Sequence, residues 1–341
     1  MDLHSPSVAV VGATGAVGAE IIGCLDRRGF PLSSLRLFAS ERSAGKVLNY
    51  RNQSLRVEPC GADAFAGIRI ALFSAGSAVA RRFAPIAVQA GAVVIDNSSA
   101  YRMASDVPLV VPEVNRATIA GHHGIIANPN CVAIIAVVAL WPLHQAFGLR
   151  RIVASTYQAA SGAGAAAMEE LRESTRAALD GQPYEPRVLR QRYAFNLYSH
   201  DAAVDLGTGS NEEEIKVMRE LRRIMGLAEL PIGVTCIRVP VLRAHAISLA
   251  VEFERPVTAE AARAVLAVAP GIRVVDDRHS NHFPMPVEAT GQDDVLVGRL
   301  RADTSDRSGH SLALFVAGDQ LLKGAALNAV QIAELLLAGP G

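Results

Sequence analysis

Cys131 is the residue of this chain best placed for nucleophilic chemistry. It follows Asn128-Pro129-Asn130 and precedes an apolar run that starts at Val132. That order predicts a helix from Val132 to about Trp141, with the cysteine at its N-terminus. There the helix dipole favours a thiolate, and Asn128 and Asn130 offer turn and capping hydrogen bonds. A cysteine is more often an inert core residue. Cys24, inside the first predicted helix, reads that way, and Cys60 and Cys236 read as structural. The polar turn sets Cys131 apart. A thiolate of this kind adds to an acyl group or an aldehyde, and the chemistry needs a base, usually histidine. The chain has nine histidines. Residue type alone does not separate His245, in the stretch Arg238-Val-Pro-Val-Leu-Arg-Ala-His245, from His200 or His282.

A second feature points to a dinucleotide. Gly12-Ala13-Thr14-Gly15-Ala16-Val17-Gly18 lies between a predicted strand, Val8 to Val11, and a predicted helix, Ala19 to Arg28. Glycines at such a turn let backbone approach a pyrophosphate, and the helix N-terminus offers free N–H groups. The spacing is G-x-x-G-x-x-G, and the strand–turn–helix context carries the reading. A ligand-free βα turn is the plain alternative. The next predicted strand, Leu35 to Ala39, runs into Ser40-Glu41-Arg42-Ser43. Arg42, flanked by two hydroxyls, suits a 2′-phosphate and hence NADP. Glu41 is the counterweight, since an acidic residue there holds the ribose 2′-hydroxyl of NAD.

These residues need a scaffold. Further apolar runs at Ile70 to Ser74, Ala92 to Asp96 and Gly124 to Ala127 read as strands, with a helix from Val79 to Ala90 between the first two. Alternation of this kind implies a parallel sheet covered on both faces. Past Cys131 the pattern changes. Arg151 to Tyr157 reads as a strand, Ser161 to Gly164 as a tight loop, and Ala165 to Leu179 and Asn211 to Met225 as helices. Residues 182–209 look irregular. Val234 to Val241, Ala246 to Phe253, Arg273 to Val275, Val295 to Leu300 and Ser311 to Val316 read as strands, and Ala325 to Leu337 as a last helix.

Composition narrows the class. The 341 residues are 50% hydrophobic and 19% charged, ample for packed cores. Lys+Arg and Asp+Glu both number 33. No basic excess exists for a phosphate backbone, so nucleic acid is not an expected partner. The longest apolar run, Val132 to Leu143, falls short of the ~20 residues a membrane helix needs. The N-terminal residues do not read as a signal peptide. No Cys-x-x-Cys pair occurs, so neither a disulfide framework nor a metal site is expected, and a reducing cytoplasm fits.

Taken in order, the motifs resemble those of the aspartate-β-semialdehyde dehydrogenase family over nearly the whole chain. They are GATGAVG at 12–18, ASERSAGK at 39–46, FSAG at 73–76, DNSSAYRM at 96–103, VPLVVPEVN at 107–115, ANPNC at 127–131, TYQAASGAG at 156–164, EEEIK at 212–216, RVPVLRAH at 238–245, VGRLR at 297–301 and KGAALNAVQIAE at 323–334. The resemblance implies an α/β protein. A Rossmann-type NADP-binding domain over 1–130, completed by a C-terminal helix at 322–341, would be joined to a mixed α+β catalytic and dimerisation domain over 131–321. It implies a cytoplasmic homodimer. The implied reaction is NADP-linked reductive dephosphorylation of L-aspartyl 4-phosphate, in lysine, methionine and threonine biosynthesis. Cys131 would form the acyl-enzyme, His245 would be the acid/base, and Gln158 would orient the substrate. Arg238 would grip its carboxylate and Glu213 its amino group. Arg102 and Lys216 would hold phosphate. Gly12, Thr14, Gly15, Ala16, Val17 and Gly18, with Ser40, Arg42, Ser43 and Gln320, would bind the cofactor. Considered singly, Gln158, Arg102, Glu213 and Lys216 would pass for ordinary structural or surface residues; Glu213 and Lys216 have the spacing of a helical ion pair.

The chain also departs from the family pattern. Val132 and Ala133 stand where Ser-Thr is common, and Ala246 follows the histidine in place of Ser. Gln320 and Leu322 replace Asn and Arg before the last helix, Ser77 replaces a second glycine after FSAG, and Asn196 begins Asn-Leu-Tyr-Ser rather than Asn-x-x-Pro. Two other readings therefore stand beside the first: a paralogue that binds NADP or a partner with weak or no dehydrogenase activity, and a related acyl-phosphate reductase. The second usually carries Gly-Cys-Tyr-Pro, which Asn-Pro-Asn-Cys does not match.

Overall fold

The computed structural model describes residues 5–338. The chain forms two compact units, one of residues up to Asn130 together with those from Ala325 onward, the other Cys131–Gly324.

The first unit is a doubly wound α/β layer. Its strands are β1 (Ser7–Val11), β2 (Ser34–Ala39), β3 (Val47–Tyr50), β4 (Gln53–Pro59), β5 (Ile70–Phe73), β6 (Val93–Asp96) and β7 (Ile125–Ala127). They run in the order β3-β4-β2-β1-β5-β6-β7. All neighbours pair parallel except β3 with β4. The central strands β1 and β5 are buried almost throughout, which explains their continuous apolar runs. Helices α1 (Ala16–Arg27), α2 (Ser77–Gln89) and the short α3 (Pro112–Asn115) belong to this unit. The β3–β4 hairpin is absent from the sequence reading. Its two-residue turn, Arg51-Asn52, has both residues at positive φ, a geometry usually marked by Asn-Gly or Asp-Gly.

The second unit begins with α4 (Cys131–Phe147), then β8 (Leu149–Gln158), α5 (Ala165–Leu179), β9 (Tyr198–Ser199), α6 (Glu212–Met225), β10 (Ile232–Arg238) and β11 (His245–Phe253). There follow α7 (Ala259–Ala267), β12 (Ile272–Val274), α8 (Pro286–Ala289), β13 (Val295–Ala302) and β14 (Ser311–Gly318). Its mixed sheet has the order β12-β13-β14-β11-β8-β10-β9. Helices α4, α6 and α7 pack on this unit's strands. Every residue of α4 from Val132 to Leu140 is buried, so the helix is apolar all round, as a core helix must be. It continues past Trp141 and through Pro142 to Phe147; burial outweighs the hydrogen bond that the proline removes. The chain then passes through a π-helical turn, Leu322–Ala326, into α9 (Leu327–Ala338). That helix packs on α1, α3 and β6 of the first unit.

The mixed α/β class and its parallel first sheet agree with the sequence reading. Several boundaries shift, among them that of α1, which starts at Ala16 rather than Ala19, that of β10, which spans Ile232–Arg238 rather than Val234 to Val241, and that of the last α-helix, which starts at Leu327 rather than Ala325. Helix α7 escaped the pattern, although Thr258 caps it through the Ala261 N–H. Among the described residues no helix is long and apolar enough to cross a membrane.

Candidate active site

In the second unit three side chains meet at one end of three neighbouring strands. Gln158 ends β8 and Arg238 ends β10, and the two are register partners in parallel pairing. His245 opens β11, one step beyond the Ala246–Tyr157 pair. Gln158 and Arg238 are each 2% exposed and His245 is fully buried.

His245 accepts the Ala159 N–H at Nδ1 (3.0 Å). The proton of the neutral ring therefore sits on Nε2, which is buried and has no hydrogen-bond partner. Burial, then the charges of Arg238 and His200, push its pKa well below the ordinary histidine range. Gly162 covers the ring. A Cβ there would lie 3.1 Å from His245 Nε2 and 3.4 Å from Arg238 Nη1. Gln158 accepts from Thr156 Oγ1 (3.0 Å) and donates through Nε2 to Glu213 Oε1 (3.3 Å).

Glu213 is set by the start of α6. Asn211 accepts from the Glu214 N–H and Glu214 accepts from the Asn211 N–H, a reciprocal capping box. Glu214 also accepts the Cys236 N–H of β10 (3.0 Å), tying the helix to the sheet. Lys216 lies one turn on and pairs with Glu212 at 3.5 Å, an i,i+4 contact. Cys236 is held as a thiol, its pKa pushed up to about 12 chiefly by burial.

Cys131 opens α4 and is half-buried. Gly324 lies against it: a Cβ at 324 would come 3.0 Å from the Cys131 Cβ and 3.2 Å from the Gln320 Cβ. Gln320 is buried with both amide ends engaged, Oε1 accepting from the Ala244 N–H (2.8 Å) and Nε2 donating to Ser161 Oγ. Asp319, fully buried, accepts from Arg243 Nε and the Gly291 N–H, both at 2.7 Å.

The first unit holds the residues expected around a dinucleotide. Gly12 has φ +88°, and a Cβ on it would meet the Ser74 backbone at 2.8 Å; one on Gly18 would meet Gly12 O at 2.2 Å. Gly15 caps α1 with no side chain bonded to the helix N–H groups, and the first turn carries no acid, the arrangement a phosphate needs. Ala16 and Val17 begin the helix. A cleft of about 620 Å³ opens beside them, lined by Gly12, Thr14, Gly15, Ser40, Glu41 and Arg82 among others. The geometry fits a dinucleotide. Arg42 is exposed on the 3-10 turn Glu41–Ser43, and Ser43 is buried; neither lines the cleft. Cys60 does, as a thiol pushed up to about 11 by burial, against the lowering charge of Arg82.

Arg102, 9% exposed, donates to the carbonyls of Asn128 (2.9 Å) and Asn97 (2.7 Å). It braces the turn that leads to Cys131. Asn128 is held further by Asn97 and Asn328.

Sequence reasoning missed three further residues, and weighed His200 only as an alternative to His245. His200 and Asp201 hold Arg238. Ser161 holds Gln320, and Arg82 lines the nucleotide-type cleft. Only Ser161 lay inside a recognised motif.

A mainly parallel sheet with a glycine-rich first turn, joined to a mixed-sheet unit that begins with a cysteine at a helix start, defines a class of two-unit nucleotide-dependent enzymes. Two family profiles match. One is described as semialdehyde dehydrogenase, NAD binding domain, at residues 7–122, and the other as semialdehyde dehydrogenase, dimerisation domain, at residues 140–323. The chain is 49% identical to the aspartate-semialdehyde dehydrogenase of Synechocystis over 330 residues, covering 97% of each chain. It is 44% identical to that of Bacillus subtilis, covering 96% of each. The crystal structure of aspartate semialdehyde dehydrogenase II from Vibrio cholerae, complexed with ASA, superposes with a TM-score of 0.95 at 42% identity, covering 98% of this chain and 99% of that one. The chain belongs to the semialdehyde dehydrogenase family.

Proposed function

We propose that the protein catalyses the NADP-linked reductive dephosphorylation of L-aspartyl 4-phosphate to L-aspartate 4-semialdehyde, as a homodimer formed through its second unit. The observation that carries the reading is the shared strand end where Gln158, Arg238 and His245 meet, in a chain 49% identical to a named aspartate-semialdehyde dehydrogenase.

The residues divide the work by chemistry. The Cys131 thiolate attacks the acyl carbon, the carbon–sulfur bond forms and phosphate leaves. Arg102 and Lys216 stabilise the charge on that phosphate. Arg238 takes the substrate's α-carboxylate through its guanidinium fork, Glu213 takes the amino group, and Gln158, held by Thr156 and Glu213, orients the acyl group. When bound, the cofactor would supply the hydride that reduces the thioester, and Cys131 would leave as the thiolate when the carbon–sulfur bond breaks. His245 presents Nε2–H, the donor needed where the acyl oxygen becomes negative; the Ala159 N–H on Nδ1 supports this acid role. The cradle Gly12, Thr14, Gly15, Ala16, Val17 and Gly18 would hold the pyrophosphate. Ser40, Arg42 and Ser43 would serve the 2′-phosphate, and Gln320 the region of the nicotinamide. Glu41 lines the cleft beside Ser40, so NADP and NAD are to be compared directly.

The test is phosphate-dependent reduction of NADP by the purified protein given aspartate semialdehyde, with Cys131→Ser and NAD as controls. Turnover should depend on phosphate, be lost in the mutant and be faster with NADP. Absence of turnover with NADP still bound would favour the binding-only paralogue.

A further inference from the structure

Arg238 does not present an open fork. Its Nη1 donates to the Ala159 carbonyl (3.0 Å), and its Nη2 meets His200 Nε2 (2.8 Å) and Asp201 Oδ1 (3.0 Å). Nε is buried and has no hydrogen-bond partner. A guanidinium grips a carboxylate through two parallel N–H bonds, and the Nε–Nη2 edge is one that offers them. Half of that edge is unsatisfied, and the other half, Nη2, is shared by His200 and a carboxylate of the protein itself.

Asp201 is the partner able to withdraw. Its side chain is 24% exposed, against 3% for Arg238. It directly follows His200, whose N–H is fixed to the Cys236 carbonyl, and it begins the irregular stretch that runs to Asn211. Burial disfavours its charge, but the Arg238 hydrogen bond and charge outweigh that and hold it below the usual carboxylate range. Asp201 is thus an anion of the same chemistry as an amino-acid carboxylate.

We infer that Asp201 is a built-in competitor for Arg238: an amino-acid substrate must displace its carboxylate from Nη2 to seat its own on the Nε–Nη2 edge. The inference rests on the reading of Arg238 as the carboxylate-binding residue. Asp201 acts through Arg238 and sets the Michaelis constant rather than the rate of chemistry. The apparent affinity is reduced by the fraction of molecules in which the fork is open.

The test uses full-length Asp201→Asn and Asp201→Glu. With NADP and phosphate saturating, Asp201→Asn should lower KM for aspartate semialdehyde about three- to tenfold, with kcat within about twofold. Asp201→Glu keeps a carboxylate and should stay near the wild-type KM. Calorimetric titration of Cys131→Ala and Cys131→Ala/Asp201→Asn proteins with aspartate semialdehyde should show the same tightening without turnover. A KM that is unchanged or raised in Asp201→Asn, in an otherwise active protein, would overturn the inference while leaving the reaction standing. A wild-type protein inactive on aspartate semialdehyde would overturn both.

Discussion

At the scale of single residues, His245 shows how the fold spends stability on its site. The ring is fully buried, neutral and unpartnered at Nε2. Its folded pKa lies well below the value of about 6.5 expected in the unfolded chain. Above that value both states are neutral, and the histidine's cost, that of a buried unpaired N–H, does not change with pH. As pH falls below it, the unfolded chain takes up a proton that the folded chain refuses, and stability is lost. His200 shifts in the same direction, from burial and then Arg238. Thermal denaturation between pH 7.5 and 5 should show a falling Tm, with a shallower fall in His245→Gln. Gly162 makes the complementary point. A methyl there would press on His245 Nε2 and Arg238 Nη1, so Gly162→Ala should reduce kcat/KM at least about tenfold, equivalent to about 1.4 kcal/mol, with an unchanged circular dichroism spectrum.

At the scale of elements, the start of α6 carries a role out of proportion to its position. Its capping box fixes where Glu213 emerges, and Glu214 bonds both the Asn211 N–H and the Cys236 N–H. Asn211→Ala should cost about 1 kcal/mol, read as a lower Tm, and should raise KM for the amino-acid substrate. Elements of this kind were legible in proportion to how local their signals are. Helix α5 appears at the bounds its pattern gave, because Gly164 and Gly181 flank an amphipathic run. Strand β1 and the turn after it were equally plain. The β3–β4 hairpin was not, since Arg51-Asn52 adopts positive φ without a glycine. Of the site, Cys131 could be argued from its turn alone. Gln158, Glu213 and Arg238 became candidates only through the family resemblance, because their meeting depends on the register of β8 with β10 and on where α6 lies. Asp201 carried no signal: an aspartate in an irregular stretch looks like any solvated turn residue until Arg238 is placed beside it.

At the scale of the whole molecule, the second sheet has one face packed against α4, α6 and α7. The opposite face presents Val153, 41% exposed, with Ser155, Tyr157, Ser248 and Phe315 half-buried around it. A mixed sheet with one such open face needs water or a second chain over it. For the proposed homodimer this is the surface to test. Val153→Asp would bury a charge without a partner in such an interface, so sedimentation should show the wild type at twice the chain mass and the variant shifted toward a single chain.

The route of the chain has a consequence of another kind. Helix α9 packs on β6 and α1, yet the whole of Cys131–Gly324 is synthesised before it. During translation the first unit must therefore wait, with an apolar strip of its surface uncovered, until α9 has left the ribosome. Vectorial folding, in which an N-terminal domain finishes before the next begins, is closed to this protein. A frameshift within the codons for Leu327–Ala338 would remove a helix from the nucleotide-type unit, while sparing the unit encoded just before it.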